Sequence, residues 1–384
     1  MNKNKFNILH IIPLLGCGGA EVLLGNIVNK QIELGYKVII CCLYTFHSSF
    51  DNYPNKDFLI DNGLIKFINT RVVFSLKGKT KIIGNDYIKL LNDFKPNVIH
   101  SHLFEAELIA MSHLLPEVKY VSHIHDNIIQ FKKFNKKDLI NKNRISTLKE
   151  RAWLINKYLK VKPVFLCISN DVMRFVEQNL PKKISSNILL LHNAIDLKRF
   201  VPSYDRGFTY LHIVSVGNLV EKKNHMLLLE IALILRQKIG PHFKIDILGF
   251  GPLYEGLNQR IKLENLEKNV FLRGSVGNVE EYYKKANVYV HTATYEPFGL
   301  VLIEAMASGL PVITLDGIGN RDIINEGING FLINENDANI FVEKILSIFQ
   351  NRKYLTRLSV NAISYSTNFG MDNYINKLHK YYTL

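Results

Sequence analysis

Two glutamates eight residues apart, Glu296 and Glu304, lie in the run Tyr295-Glu296-Pro297-Phe298-Gly299-Leu300-Val301-Leu302-Ile303-Glu304-Ala305-Met306-Ala307. Glu304 falls inside an otherwise apolar helical segment, Leu300–Ala307, where a carboxylate is costly to bury without a partner or ligand. Glu296 precedes that helix, and Pro297 fixes the turn into it. Eight residues of helix rise about 12 Å. One carboxylate at the helix mouth and one two turns inside can therefore grip two parts of a long ligand. The plainer alternative is an N-terminal Glu plus a solvated helix Glu, but the apolar flanks of Glu304 leave little solvated face.

Three glycine-led loops add an anion-binding theme: Gly16-Cys17-Gly18-Gly19, the loop after Gly217, and Gly249-Phe250-Gly251-Pro252. Each follows an apolar strand. Loops that run into helix N-termini aim free backbone N–H groups and the helix dipole at one spot. A phosphorylated ligand is the default expectation. His100, His102, His123 and His125 cluster near strand ends, and His-x-His partners share a strand face. No Asp-x-Asp occurs, and ligand spacing alone is a weak signal, so no metal and no other cofactor is expected. Ser169-Asn170 reads as a helix N-cap.

The elements that position these residues alternate. Strands are expected at Phe6–Ile12, Val38–Tyr44, Asn97–His102, Tyr120–His125 and Val164–Ser169, with helices at Ala20–Leu34, Glu105–Leu115 and Asp171–Asn179. A second cycle begins at Tyr210–Val216 and runs through the helix Asn224–Ile239 and strands at Lys244–Leu248, Val270–Leu272, Val288–His291, Pro311–Thr314 and Gly330–Ile333. Such alternation predicts an α/β chain with parallel sheets covered by helices. Periodicity is lost near Asp196–Asp205, which places the linker there. The expected domains are 1–200 and 205–370, with 371–384 a C-terminal helix that can pack back on the N-terminal domain. Two doubly wound domains would face a central cleft lined by their loops.

The chain has 384 residues and a net charge of +14. The charge is uneven: residues 1–200 carry 29 basic and 16 acidic groups, and residues 201–384 carry 19 and 18. A uniform nucleic-acid coat is disfavoured. Residues 132–162 hold eleven basic groups against Asp138 and Glu150, interleaved with Phe131, Phe134, Trp153 and Tyr158. That pattern suits an anionic membrane surface, or else a solvated lysine-rich face. Four cysteines without Cys-x-x-Cys, two of them the adjacent Cys41 and Cys42, read as buried reduced thiols rather than a disulfide framework. Leu14-Leu15-Gly16-Cys17 looks like a lipoprotein signal, but Asn7, His10 and Pro13 interrupt the apolar core, so the segment is taken as the first strand.

Together these motifs carry a resemblance. Glu296 and Glu304 with Phe298-Gly299-Leu300 between them resemble the E-x7-E signature of retaining nucleotide-sugar glycosyltransferases, family 4, of GT-B fold (two Rossmann-like domains). Val216-Gly217-Asn218-Leu219-Val220-Glu221-Lys222-Lys223-Asn224-His225 resembles that family's first C-terminal loop. Leu248-Gly249-Phe250-Gly251-Pro252-Leu253 resembles the next, Leu191-His192-Asn193-Ala194-Ile195-Asp196 the segment before the linker, and Gly18-Gly19-Ala20-Glu21 the N-terminal loop. The resemblance implies that Glu296 touches donor-sugar hydroxyls and Glu304 the ribose. Gly299 and Leu300, behind Phe298, would offer backbone N–H groups, and Lys223 would neutralise the diphosphate. Gly217, Asn218, Gly249, Gly251 and Pro252 would shape the nucleotide pocket, which Gly18 and Gly19 approach from the other domain. His125 would stand near the reacting sugar, with His102 and Asp126 as acceptor-side candidates. The family usually has Arg where this chain has Asn218; Lys222 and Arg321 are candidate substitutes.

The reading is a retaining, metal-independent glycosyltransferase (hexosyltransferase-type) that uses a nucleoside-diphosphate sugar and a saccharide or polyprenyl-linked acceptor. By resemblance it serves bacterial capsule, exopolysaccharide or lipopolysaccharide biosynthesis. It is expected to be cytoplasmic, peripheral on the inner face of the cell membrane through residues 132–162, and without a nucleic-acid partner. The alternatives are a nucleotide-sugar epimerase or phosphorylase of the same fold, and a catalytically silent partner subunit.

Overall fold

The computed structural model describes residues 6–16, 18–45, 50, 53, 56–74, 80–135, 142–184, 187–203 and 206–384, with the side chains of 142–144 left aside. Cys17, Lys136, Lys137, Asp138 and Asp205, and the side chains of Lys142 and Arg144, lie outside the described set. The chain forms two compact units, residues 1–193 with 371–384, and residues 194–370.

The first unit is built on a seven-stranded sheet. Its strands are β1 (Asn7–Ile12), β2 (Lys37–Cys42), β3 (Ile65–Phe67), β6 (Val98–His102), β7 (Lys119–Ile124), β8 (Val164–Cys167) and β9 (Ile188–Leu190), with a separate antiparallel hairpin of β4 (Arg71–Phe74) and β5 (Thr80–Ile83). The order is β3-β2-β1-β6-β7-β8-β9, every pairing parallel. Runs such as Val164-Phe165-Leu166-Cys167 are buried throughout, as strands covered on both faces must be. Parallel neighbours need crossovers, and the helix Gly19–Glu33 makes the first, burying Leu23, Leu24, Ile27, Val28 and Gln31. Register sets His10 opposite His100 and His102 opposite His123.

The second unit has β10 (Leu211–Val216), β11 (Phe243–Leu248), β12 (Val270–Leu272), β13 (Val288–His291), β14 (Val312–Leu315) and β15 (Gly330–Ile333) in the parallel order β12-β11-β10-β13-β14-β15. Its core packs Leu227, Leu228, Ile231 and Leu235 of the helix Met226–Ile239 on Ile213, Ile245 and Val288. In both sheets the strand order reverses beside the first strand, between β1 and β6 and between β10 and β13. Loops leaving the carboxyl ends there diverge, and such a switch point is where open parallel sheets bind ligands.

Three expectations change. The unit boundary falls at Asn193–Ala194, ahead of the linker placed at 196–205. Ile195 bridges to Gly370, Arg199 bonds Glu280, and Phe200 packs beside Tyr283, so this segment is part of the second unit. The expected helix over 105–115 stops at Ala110. Short, partly exposed elements with weak patterns, β3, the β4–β5 hairpin and β9, escape a reading by periodicity. The C-terminal helix Met371–Tyr382 belongs to the first unit, where Asp372 pairs with Lys30 at 2.7 Å. Ser169 caps its helix, accepting from the Val172 amide at 3.3 Å. Cys41, Cys42 and Cys167 are buried free thiols. Among the described residues no helix is long and apolar enough to cross a membrane.

Candidate active site

In the second unit the β10 and β13 loops meet at the switch point. The β10 loop descends through a short turn, Glu221–Lys223, that Asn224 ends in the left-handed region at φ 50°. The β13 loop is stitched to it: the Thr292 hydroxyl donates to the Lys223 carbonyl at 3.0 Å, and the Thr294 amide donates to the Lys222 carbonyl at 2.9 Å. These ties bring Lys223 Nζ to Glu296 Oε2 at 2.5 Å. His291, the last residue of β13, holds Nε2 2.9 Å from the same oxygen. The Tyr289 hydroxyl stands 3.3 Å from His291 Nδ1 and 3.2 Å from the Val216 carbonyl. Burial alone would raise the Glu296 carboxyl. The His291 hydrogen bond and the Lys223 charge outweigh it and hold that group down at about 2. Glu296 is thus a buried, ionised acceptor, and its backbone is clamped by Gly317 O and Gly319 N.

Gly299 follows at φ 104° and begins the helix Leu300–Ala307 with no side-chain cap. The Leu302 amide turns back to the Gly299 carbonyl at 3.0 Å, and the amides ahead of it have no intrahelical acceptor. Phe298 beneath is buried. Glu304 is half-buried and faces a different partner, the Tyr283 hydroxyl, which donates to it at 3.2 Å. Burial pushes its carboxyl up to about 7, against the pull of Arg199 and Tyr283. The two glutamates are therefore electrostatically unlike: one is firmly ionised, the other close to half-protonated at neutral pH.

The glycine loops are packed backbone to backbone. Gly249 sits at φ 139°, and a Cβ there would lie 2.0 Å from the Gly217 carbonyl oxygen; one on Gly251 would lie 2.6 Å from that of Leu219. Only glycine allows this approach. Asn218 and Pro252 are exposed on these loops. Of the two proposed substitutes for the family's Arg, Arg321 is ion-paired with Asp316 at 2.5 Å, and Lys222 is exposed with Nζ 5.8 Å from the Tyr295 ring centre. Lys223 is the cation paired with Glu296.

In the first unit Gly18 precedes the helix Gly19–Glu33 as an extended N-cap, and a Cβ on it would meet Glu21 Oε2 at 2.3 Å. His125 lies one residue beyond β7, next to Asp126, whose Oδ1 accepts from the Asn127 amide at 2.7 Å. His102 is fully buried, its Nε2 3.1 Å from His10 Nδ1 and its Nδ1 3.2 Å from His125 Nε2. Two trios, His10/His100/His102 and His102/His123/His125, hold ligand atoms within 4.8 Å of one another. The His100–His102 and His123–His125 rings are layered at 4.3 and 4.2 Å with planes 28° and 30° apart.

The structure thus brings together Lys223 and Glu296, packs Gly249 against Gly217 and Gly251 against Leu219, and ties Glu304 to a separate partner. Sequence reasoning missed His291, Tyr289 and Tyr283, which orient the two carboxylates. The signal available was the position of His291 at the end of a predicted strand, five residues before Glu296. It missed His10, Gln31 and Tyr382 as well, because they are far apart in sequence and meet only in the folded unit.

The family "Glycosyl transferases group 1" matches residues 206–365, and "Glycosyltransferase Family 4" matches residues 17–199. The UDP-Gal:alpha-D-GlcNAc-diphosphoundecaprenol alpha-1,3-galactosyltransferase of Escherichia coli is 25% identical, over 94% of this chain and 92% of that one. The poly(ribitol-phosphate) alpha-N-acetylglucosaminyltransferase of Staphylococcus aureus is 29% identical over 67% of this chain, which covers 49% of that protein. The chain spans only 20% of the length of the poly(glycerol-phosphate) alpha-glucosyltransferase of Bacillus subtilis, at 31% identity. Among solved structures, Anabaena Alr3699/HepE in complex with UDP and glucose superposes with a TM-score of 0.77 at 16% identity, covering 98% of both chains. At that identity the likeness is one of fold.

Proposed function

The chain belongs to the family 4 glycosyltransferases of GT-B type, and on that premise we propose that it is a retaining enzyme that moves a sugar from a nucleoside-diphosphate donor to a lipid-linked saccharide acceptor in bacterial surface-polysaccharide assembly. The observation that carries the donor assignment is the Lys223–Glu296 pair at the β10/β13 switch point. A nucleoside-diphosphate sugar presents both counterparts: phosphate oxygens for the ammonium, and sugar hydroxyls for a carboxylate held ionised. Glu304 would take the ribose hydroxyls, and the amides of Gly299 and Leu300 would take sugar or phosphate oxygens. Gly217, Asn218, Gly249, Gly251 and Pro252 would bound the nucleotide.

The bond from the sugar carbon to the phosphate oxygen breaks as the acceptor oxygen attacks from the same face. The acceptor proton passes to the departing phosphate oxygen. Positive charge grows on the sugar and negative charge on the phosphate. A preorganised cation and N–H donors at the phosphate lower that barrier without any metal ion or covalent side-chain intermediate. His125 is assigned to the reacting sugar, and Gly18, Gly19, His102 and Asp126 to the first unit's share of binding.

The lipid-linked acceptor is supported by the Escherichia coli relative, whose name specifies a diphosphoundecaprenol acceptor. It is also supported by the net charge of residues 132–162, where eleven basic groups face two acidic ones. Within the helix Lys142–Val161, Leu154 and Tyr158 are buried while Ile145, Leu159 and Lys160 are exposed. That leaves an apolar and basic face for an anionic membrane surface. Incubation with a panel of nucleotide sugars and crude lipid-linked acceptors, reading nucleoside diphosphate release, tests the activity. Release with at least one donor is expected. No release with any donor, or full activity in both Glu296→Ala and Lys223→Ala, overturns the reading.

A further inference from the structure

We propose that the buried histidines of the first unit form a hydrogen-bonded relay in which Gln31, gripped by Tyr382 of the C-terminal helix, sets the tautomer of His125 and leaves its Nδ1 as a bare acceptor. Gln31 is a polar side chain buried on the inner face of the helix Gly19–Glu33. Its Nε2 donates to the Tyr382 hydroxyl at 3.2 Å, and its Oε1 lies 2.8 Å from His10 Nε2. An amide oxygen only accepts, so His10 carries its proton on Nε2. His10 is neutral, since burial lowers it to about 4, so its Nδ1 is an acceptor. Its neighbour at 3.1 Å, His102 Nε2, must therefore be the donor. His102, also kept neutral by burial, is left with an acceptor at Nδ1. That nitrogen is 3.2 Å from His125 Nε2, which must donate. Only Nδ1 of His125 remains, bare, buried and without a partner among the described residues.

The other branch closes consistently. The Tyr382 hydroxyl accepts from Gln31 and gives its own proton to His100 Nδ1 at 2.8 Å. His100 then bears its proton on Nε2, which has no partner among the described residues. Turning the Gln31 amide over would reverse every proton in the row and put N–H on His125 Nδ1. One amide orientation, fixed at the junction of two helices, thus decides whether His125 offers a lone pair or a proton just past the carboxyl end of β7. Gln31, His10, His102 and Tyr382 are positioning residues in this account. Its meaning for catalysis rests on the assignment of His125 to the sugar, but the relay does not.

Protein labelled with 15N-histidine distinguishes the two tautomers by long-range proton–nitrogen correlation, because protonated and bare ring nitrogens resonate far apart. Wild-type His125 is expected to show Nε2 protonated and Nδ1 bare. Gln31→Met removes the anchor without removing bulk, and Tyr382→Phe frees the amide to turn. In each, the His125 nitrogens should move toward averaged positions, a loss of the single tautomer. A wild-type His125 protonated on Nδ1, or an unaltered His125 spectrum in the folded variants, overturns the proposal; should Gln31→Met fail to fold, Tyr382→Phe alone decides. Nucleoside diphosphate release by His125→Ala is read separately. Full activity there removes the sugar assignment and leaves the relay standing, whereas a failed tautomer test does the reverse.

Discussion

Lys223 and Glu296, seventy-three positions apart in the chain, meet at 2.5 Å because the loops after β10 and β13 leave adjacent parallel strands. The pair is mostly withdrawn from solvent, with side-chain exposures of 17% and 10%. Its charges are therefore worth more to a ligand than the same groups on an open surface.

Removing either partner should act on both function and stability. Lys223→Ala is expected to slow nucleoside diphosphate release by about a hundredfold, the usual cost of losing one preorganised charge-stabilising group. It also leaves Glu296 with His291 as its remaining side-chain partner, at a cost of about 2 kcal/mol. Glu296→Ala should cost similar activity, and the double variant should be less destabilised than the sum of the singles. Urea unfolding with a double-mutant cycle measures this; strict additivity would contradict a coupled pair.

Glu304 supplies a pH signature. Its folded value, about 7, is raised above the ordinary 4.5, so the protonated form favours the folded state. Stability from this group is fully present below about pH 4.5 and is lost as pH rises through about 7. Glu304→Gln should therefore be more stable than wild type at pH 8, by on the order of 3 kcal/mol, and nearly equal to it at pH 4.5. Urea midpoints at the two pH values check the sign. A variant that is less stable at pH 8 than at pH 4.5, relative to wild type, contradicts it.

Gly249→Ala tests the backbone contact between the glycine loops. At φ 139°, with a Cβ 2.0 Å from the Gly217 carbonyl oxygen, an alanine must displace one loop. A loss of at least about 2 kcal/mol is expected, with weaker nucleotide binding by titration calorimetry. Gly256→Ala is the control, since nothing lies within 4 Å of its Cβ position.

The basic stretch predicts flotation with vesicles containing anionic lipid, weakening as salt rises. Charge reversal at Lys132, Lys133, Lys136 and Lys137 should abolish it without changing nucleoside diphosphate release on a soluble acceptor. Unchanged flotation would show that these residues are a solvated face.

The alternation of apolar runs with glycine loops was enough to read two parallel-sheet units, and it singled out Glu296, Lys223 and the paired glycines for the proposed donor site. These features are local: strand burial, turn geometry and a helix start are written over a few consecutive residues. What the sequence could not show is set by contacts between distant segments. The unit boundary lies at Ala194 because Ile195 and Phe200 find partners at Gly370 and Tyr283. The different protonation of Glu296 and Glu304 follows from who faces each one, His291 with Lys223 or Tyr283. The histidines illustrate the division most clearly. Their alternate spacing in the chain placed pairs on one strand face, but the strand order that inserts β6 between β1 and β7 stacked them into one array. Gln31 and Tyr382 then reached it from helices at opposite ends of the chain. Proton positions in such an array depend on every neighbour at once, so tertiary structure alone decides them.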